Sequence, residues 1–500
     1  MRIVLFERIP PSWGMTFGLA IAGLEIFQGT HLFFSVCFFM LIQIWVLAVN
    51  TAGGFRRAMG AYVFWFGLFT IIFGVSLKSF IGEAADTLCV APLLTMEIFT
   101  ISMFMLLVSV LLTQRILGTT KSLAERLMAN NPLPYREAAI GSTILGILAM
   151  FSSEVLGGGS GSIGNLLSRM NLFLYLASIL GTVACIKESN GKRSVGFYNL
   201  LPGVTQFLWG FAGFSKEGMF TPVACWLIGV AFTRFSFRKI HFAVLAVILV
   251  TANYVLFPLA QIGRNLPSPP GVVGHIGVGL TVLENFSYWK KQSDIAEQQS
   301  LAAGGHYYAK DVGLAERFST WPGDSALIAY TEKGHVFGFA YLNVIFLNWF
   351  PHFIFPDKDK YMTIEGGGNY YGRELGIIPF SDTTTGISFS TIAEAFHMGR
   401  WLGIFLLLPA SWVLFFLSVE VLCGDLRIAP WGLFYAMFFI HMAPESGISG
   451  LLGSVWFTNI GLVFCMLFAT YVAPLLGKLF FREKLRAGVP GAASVPLRRA

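Results

Sequence analysis

Charge is what this chain has least of. Only 12% of its 500 residues are Asp, Glu, Lys or Arg, against 55% hydrophobic residues and a mean hydropathy of +0.67. So few polar side chains cannot clothe a soluble domain of this size, which leaves a polytopic membrane protein. Cysteine is scarce as well. Five of the six (Cys37, Cys185, Cys225, Cys423, Cys465) fall in or at the ends of apolar runs, and Cys89 opens another. That pattern excludes a disulfide framework and a CxxC zinc spacing. The N-terminus, MRIVLFERIPPSWG, lacks the compact apolar core and small-residue cleavage site of a signal peptide and reads as a short cytoplasmic lead-in. The net charge of +7 is spread over short segments between apolar runs, which points to membrane orientation and not to nucleic acid. Phenylalanine is abundant, at 49 residues, but suits lipid-facing helices and apolar grooves equally.

What the chain has is long apolar runs. A membrane-crossing helix needs about 20 mostly apolar residues, and the first half offers nine candidates, near 14–29, 31–50, 59–79, 89–113, 138–155, 171–186, 196–214, 218–233 and 240–262. With Arg2 and Arg8 in the cytoplasm, alternate turns are basic: Arg56 and Arg57; Arg115, Lys121, Arg126 and Arg136; Lys187, Lys192 and Arg193; Arg234, Arg238 and Lys239. The intervening turns, around Glu83, Ser160 and Lys216, are acidic, glycine-rich or nearly neutral, as the positive-inside rule requires. An odd number of spans puts the following interval, about 125 residues, outside. Three further runs, near 395–420, 428–444 and 450–477, return the basic tail to the cytoplasm.

The expected architecture is thus an all-α polytopic membrane protein with about 12 transmembrane helices and one large extracytoplasmic loop. Its parts are an N-terminal transmembrane bundle over 1–262, a loop over 263–390, C-terminal transmembrane helices over 391–477 and a basic cytoplasmic tail over 478–500, its last 15 residues expected to be disordered. The segment 334–355 is apolar enough to span, but crossing would put the basic tail outside. A re-entrant or interfacial segment, with Trp349, His352 and Phe355 near the headgroups, is expected there.

Charges gather in and beside the loop, whereas the spans hold few, chiefly Glu25, Glu97 and Glu154. A transporter places its ionisable groups near the bilayer midplane, so this distribution favours an enzyme working at the outer face. Glu394 and His397, one turn apart, open the tenth apolar run; Arg400 lies about 120° round an ideal helix from Glu394. Arg317, Lys358 and Arg373 are loop cations, and Arg264 follows the ninth run. The triple glycine Gly366 to Gly368 lacks the lysine-serine pair of a phosphate loop and reads as a turn.

The order ERFSTWPGDSALIAYTEKGHVFG, LNWFPHFIFPDKDK and TGISFSTIAEAFHMGRWLGI resembles the O-antigen polymerases, or oligosaccharide repeat-unit polymerases. Three elements carry the likeness: a segment led by Arg317; the run Pro351 to Lys358; and Ser390 to Gly403, with Glu394, Ala395, Phe396, Gly399 and Gly403 in a T/S-x-I/L-x-E-A/S-Y/F-x-x-x-G-x-x-G-like pattern. The likeness covers 315–405, and His352 stands where the group usually has arginine. It implies a GT-C-like glycosyltransferase of the bacterial inner membrane, both termini cytoplasmic, needing no metal or other cofactor. Such an enzyme moves a glycan from a polyprenyl diphosphate donor onto a hydroxyl of a lipid-linked acceptor at the periplasmic face, in O-antigen, capsule or exopolysaccharide synthesis, with a chain-length regulator as a further partner. On that basis Glu394, Arg317 and His397 are the expected catalytic residues, and Arg264, Lys358, Arg373 and Arg400 the expected diphosphate ligands, since guanidinium and ammonium groups stabilise a departing diphosphate. An O-antigen ligase and a transporter or flippase of lipid-linked glycans are the alternatives.

Overall fold

A computed structural model of the chain describes residues 5–130, 133–155, 167, 171–266, 272–292, 307–310, 312, 319–350, 352, 354–362, 364–381 and 387–487. Arg317, Asp382, the turn around Ser160 and the end of the tail, 488–500, lie outside the described residues. What is described is helical, with no strand. In chain order the helices are α1 (Pro11–Phe27), α2 (Leu32–Ala52), α3 (Ala58–Phe80), α4 (Pro92–Leu117), α5 (Leu123–Asn130), α6 (Tyr135–Val155), α7 (Phe173–Glu188), α8 (Phe197–Ala212), α9 (Lys216–Thr233) and α10 (Lys239–Arg264). After them come α11 (Val272–Glu284), α12 (Trp321–Glu332), α13 (Tyr341–Asn348), α14 (Gly368–Glu374), α15 (Thr391–Cys423), α16 (Leu433–Glu445), α17 (Ile448–Tyr471) and α18 (Ala473–Ala487).

A helix lies over each of the twelve apolar runs. Among the described residues six are long and apolar enough to cross a membrane: Leu32–Arg56, Ala58–Phe80, Pro92–Leu117, Lys239–Arg264, Thr391–Cys423 and Ile448–Tyr471. The others are shorter or less apolar; α7 and α8, for example, have 16 residues each, about 24 Å of helix against a hydrocarbon core of about 30 Å. Their ends follow local rules. Proline opens α1 and α4, where its missing N–H costs nothing; Ser215 and Ser390 cap α9 and α15 by accepting from Gly218 N at 3.0 Å and Ala393 N at 3.3 Å.

The core runs through α2, α3, α4, α15 and α16. Tyr62 of α3 sits among Phe66, Phe415, Phe416 and Phe439 and accepts the Trp412 indole N–H at 3.2 Å, so the buried polar tips of both aromatic residues are satisfied.

Two parts of the expected loop are placed by packing in different ways. Helix α12 is sunk into the bundle: Trp321 is wholly buried, edge-on to Phe34 of α2 and Phe99 of α4, while Ser325 accepts from Ala91 N at 3.1 Å and from the Thr95 hydroxyl at 3.2 Å. The apolar segment 334–355, by contrast, is helical only over α13, eight residues and about 12 Å, too short to cross. Tyr341, Val344 and Ile345 of α13 are buried, and Trp349 stacks on Trp456 of α17 at 5.6 Å. Protein covers only part of this apolar segment, since Val336, Phe339, Phe346, Phe350 and Ile354 stay exposed.

Helix α15 is not one straight rod. Gly399 (φ −149°) and Arg400 (φ 48°, ψ −132°) break it, and the chain folds back so that Gly403 meets the carbonyl of Ala395. A Cβ on Gly403 would lie 1.8 Å from that oxygen. Glu394 and His397 therefore stand on a two-turn helix of their own, ahead of the long apolar helix that the sequence places them on. Gly403→Val should destabilise the protein by about 1–3 kcal/mol, seen as a lower thermal unfolding midpoint in detergent. Gly453→Ala, where an added Cβ meets nothing within 4 Å in a helical backbone, should leave the midpoint unchanged or raise it slightly.

Candidate active site

Glu394 is 1% exposed. Its Oε1 accepts the Tyr371 hydroxyl at 3.1 Å and its Oε2 accepts the Ser449 backbone N–H at 3.3 Å, with Ile448 N–H a further donor. Those amides are the free N-terminus of α17, whose N–H groups and dipole favour a negative charge. Gly447, the residue before α17, is what lets the carboxylate in: a Cβ there would stand 2.1 Å from Oε2.

Tyr371 reaches Glu394 because α14 packs hard against the chain leading into α15. At Gly368 a Cβ would fall 1.7 Å from the Ile387 carbonyl. The triple glycine is thus a close-packing turn. Burial, then the Glu394 charge, push the Tyr371 phenol far above its ordinary value, so it stays a donor across the accessible pH range. Tyr341 is pushed up to about 12 by the same two causes.

His397 does not bond to Glu394. Its Nδ1 pairs with the Thr331 hydroxyl of α12 at 2.9 Å, its carbonyl accepts Phe337 N at 2.9 Å, and its ring lies flat on Phe337 and edge-on to Tyr371. The spacing of three residues does bring the two groups to one side of the short helix, but Tyr371 stands between them. Sequence reasoning missed Tyr371 and Thr331 because each comes from a separate short helix.

Arg400 turns away from Glu394. The backbone break carries its guanidinium to the surface, where it pairs with Glu332 at the end of α12 at 2.9 Å and meets the Glu332 carbonyl at 3.4 Å. The ideal-helix angle between Glu394 and Arg400 has no meaning across such a break. Arg373, on α14 two residues beyond Tyr371, binds Glu365 at 2.7 Å and Asn369 at 3.0 Å, and lies near the Tyr370 and Phe380 rings. Lys358 is buried, and its ammonium donates to the Phe350 carbonyl at 2.9 Å. Arg264 donates to the Phe214 carbonyl at 2.8 Å beside the start of α9. The structure brings Glu394, His397, Arg373 and Arg400 around α14 and the α15 break. Lys358 and Arg264 are held elsewhere by backbone carbonyls, and Arg317 lies outside the described residues.

Comparison with family models, curated proteins and solved structures gave no match. The site rests on its own residues, and these include an unforeseen brace. Asp324 of α12 is fully buried; it accepts Ser390 N at 2.8 Å and the Thr320 hydroxyl at 2.7 Å, tying α12 to the first turn of α15. Among the described residues no group of three His, Cys, Asp or Glu side chains is placed to hold a metal ion.

Two measurements test these contacts. Tyr371→Phe leaves Glu394 Oε1 without its donor and should cost about 1–3 kcal/mol; adding Glu394→Gln to that variant should cost less than it does in the wild-type chain, because the two share one bond. Burial raises the Asp324 carboxyl to about 7, from an unfolded value of about 3.9. Its contribution to stability is then fully present below about pH 4 and is lost as the pH rises through about 7. Asp324→Asn should flatten that part of the melting-temperature profile between about pH 4 and 7.

Proposed function

We propose that this protein is a membrane glycosyltransferase that lengthens a glycan carried on a polyprenyl diphosphate, a polysaccharide polymerase of GT-C-like architecture. With about 12 spans and both termini in the cytoplasm of a bacterial inner membrane, the Glu394 end of the bundle faces the periplasm, where donor and acceptor meet. The observation that carries the reading is the break at Gly399 and Arg400. It sets an ion-paired guanidinium at the surface a few residues after a buried carboxylate and imidazole, in the stretch that resembles the O-antigen polymerases.

The reaction needs two things from the protein: positive charge for the departing diphosphate and a base for the acceptor hydroxyl. The Arg400–Glu332 pair supplies both. Each partner is partly exposed, at 43% and 39%, so the pair is weak and exchangeable. The donor diphosphate takes the place of Glu332 on Arg400 with the two parallel bonds that guanidinium gives to phosphate. Glu332 is then released beside the acceptor. As the acceptor oxygen bonds to the anomeric carbon, the carbon–oxygen bond to the diphosphate breaks, polyprenyl diphosphate leaves with the electron pair, and Glu332 takes the hydroxyl proton. Arg373 adds charge from α14. Glu394 and His397, both buried, are positioning residues that hold Tyr371, α12 and α17 around the break. This shifts the base from Glu394 to Glu332, since Glu394 is buried with both oxygens already accepting hydrogen bonds.

Purified protein in liposomes, given lipid-linked repeat units alone, should build longer chains. Arg400→Ala and Glu332→Gln should each slow chain growth by about 100-fold or more while leaving the unfolding midpoint near that of wild type. Arg400→Lys should retain an intermediate rate, having the charge without the fork. Normal long chains from Arg400→Ala would sink the assignment. No chain growth from the wild-type protein would sink the reaction itself.

A further inference from the structure

Beyond the break, α15 runs from Trp401 to Cys423, about 33 Å of helix, so its far end lies a bilayer's thickness from Glu394. At that far end α15, α4 and α5 enclose a cavity of about 430 Å³, within the usual size range of small-ligand sites. It is lined by Arg57, Thr120, Lys121, Glu125, Arg126 and Glu420, among others.

The two acids in its wall are already occupied. Glu420 is buried, with Oε1 accepting Met59 N at 2.9 Å and Oε2 accepting Arg57 at 2.9 Å. Glu125 accepts Ser122 N and Asp425 N, each at 3.0 Å, in the capping arrangement that starts α5. Lys121 and Arg126 are different. Both are exposed, and neither has a carboxylate partner among the described residues. Arg57 balances Glu420, so the cavity offers Lys121, Arg126 and the Thr120 hydroxyl against the one remaining carboxylate, Glu125, which is held by backbone amides: a wall with an excess of positive charge.

The helices that lead away from the cavity expose aliphatic side chains. Leu112 and Ile116 of α4, one turn apart, are 44% and 62% exposed, and Val421 of α15, itself in the cavity wall, is 50% exposed. A cationic mouth at a helix end, above exposed aliphatic side chains, matches one ligand in shape and charge. We infer that this cavity binds the phosphate-bearing headgroup of an anionic phospholipid, with the acyl chains lying along α4 and α15. Arg126 and Lys121 hold the phosphate and Thr120 donates to it. The site is separate from the Glu394 end and stands whether or not the reaction proposed above is correct.

The test uses the full chain in detergent, with phosphatidylglycerol, phosphatidylcholine and inorganic phosphate as probes, read by native mass spectrometry for retained lipid and by thermal unfolding. Phosphatidylglycerol should be retained at one copy or more and should raise the unfolding midpoint, with phosphatidylcholine retained at least tenfold less. The double variant Lys121→Ala, Arg126→Ala should lose that retention at least tenfold, while the charge-preserving Lys121→Arg, Arg126→Lys pair keeps it. Inorganic phosphate stabilising wild type as strongly as phosphatidylglycerol, and not the alanine variant, would assign the same cations to a soluble phosphate compound. Equal retention of both lipids by wild type, or equal retention of phosphatidylglycerol by wild type and the alanine variant, overturns the inference. Should the alanine pair fail to fold, Lys121→Gln with Arg126→Gln carries the same comparison.

Discussion

A buried carboxylate must find donors or be expelled, and the site end of this protein is arranged around that demand. Glu394 takes three donors from two places: the Tyr371 hydroxyl on α14, and the Ser449 and Ile448 amides at the start of α17. Leaving such a group unpaired in an apolar bundle costs several kcal/mol. The pairing therefore ties the expected loop, the break in α15 and the last long helix into one piece. Other contacts follow from it. Tyr371 can reach only because the glycine turn packs against Ile387, and His397 is then enclosed by Tyr371, Phe337 and Thr331. Arg400 is carried outward by the same break that sets Glu394 inward.

The two ends of the bundle handle charge in different ways. At the Glu394 end, Glu394 and Asp324 are buried and met by neutral donors, Asp324 by Ser390 and Thr320, while Arg400 sits at the rim in an exposed pair with Glu332. At the other end, acids and arginines meet directly: Arg57 with Glu420, and Arg56 and Arg427 with Asp425. These join α3 to the turn after α15, so both ends of α15 are fixed. Exposed ion pairs contribute little stability. Pairs with one buried partner, such as Glu420, serve as fasteners.

Much of this was legible as pattern. Each apolar run became a helix, and Glu394, His397 and Arg400 do cluster near one end of the bundle. Their partners were hidden. Nothing in the spacing of Thr331, Glu332 or Tyr371 marks them, since each stands on a separate short helix whose position depends on packing. The segment 334–355 has the composition of a span and forms only the short helix α13; α12, polar enough to pass for loop, is buried up to its tryptophan. Hydropathy reports how much apolar surface must be covered, and protein can cover it as well as lipid.

By itself the sequence determined the class: apolar runs that become helices, basic residues sorted to alternate turns, and a polar interval joined to the tenth run through Glu394. Those are local and additive properties, readable residue by residue. Only the tertiary structure decided which carboxylate is buried and which is exposed and ion-paired. That choice turns on Gly403 meeting the Ala395 carbonyl and on Gly447 admitting Glu394 to the start of α17. Both are close approaches between parts of the chain whose meeting no residue spacing encodes, because it exists only once the helices have packed.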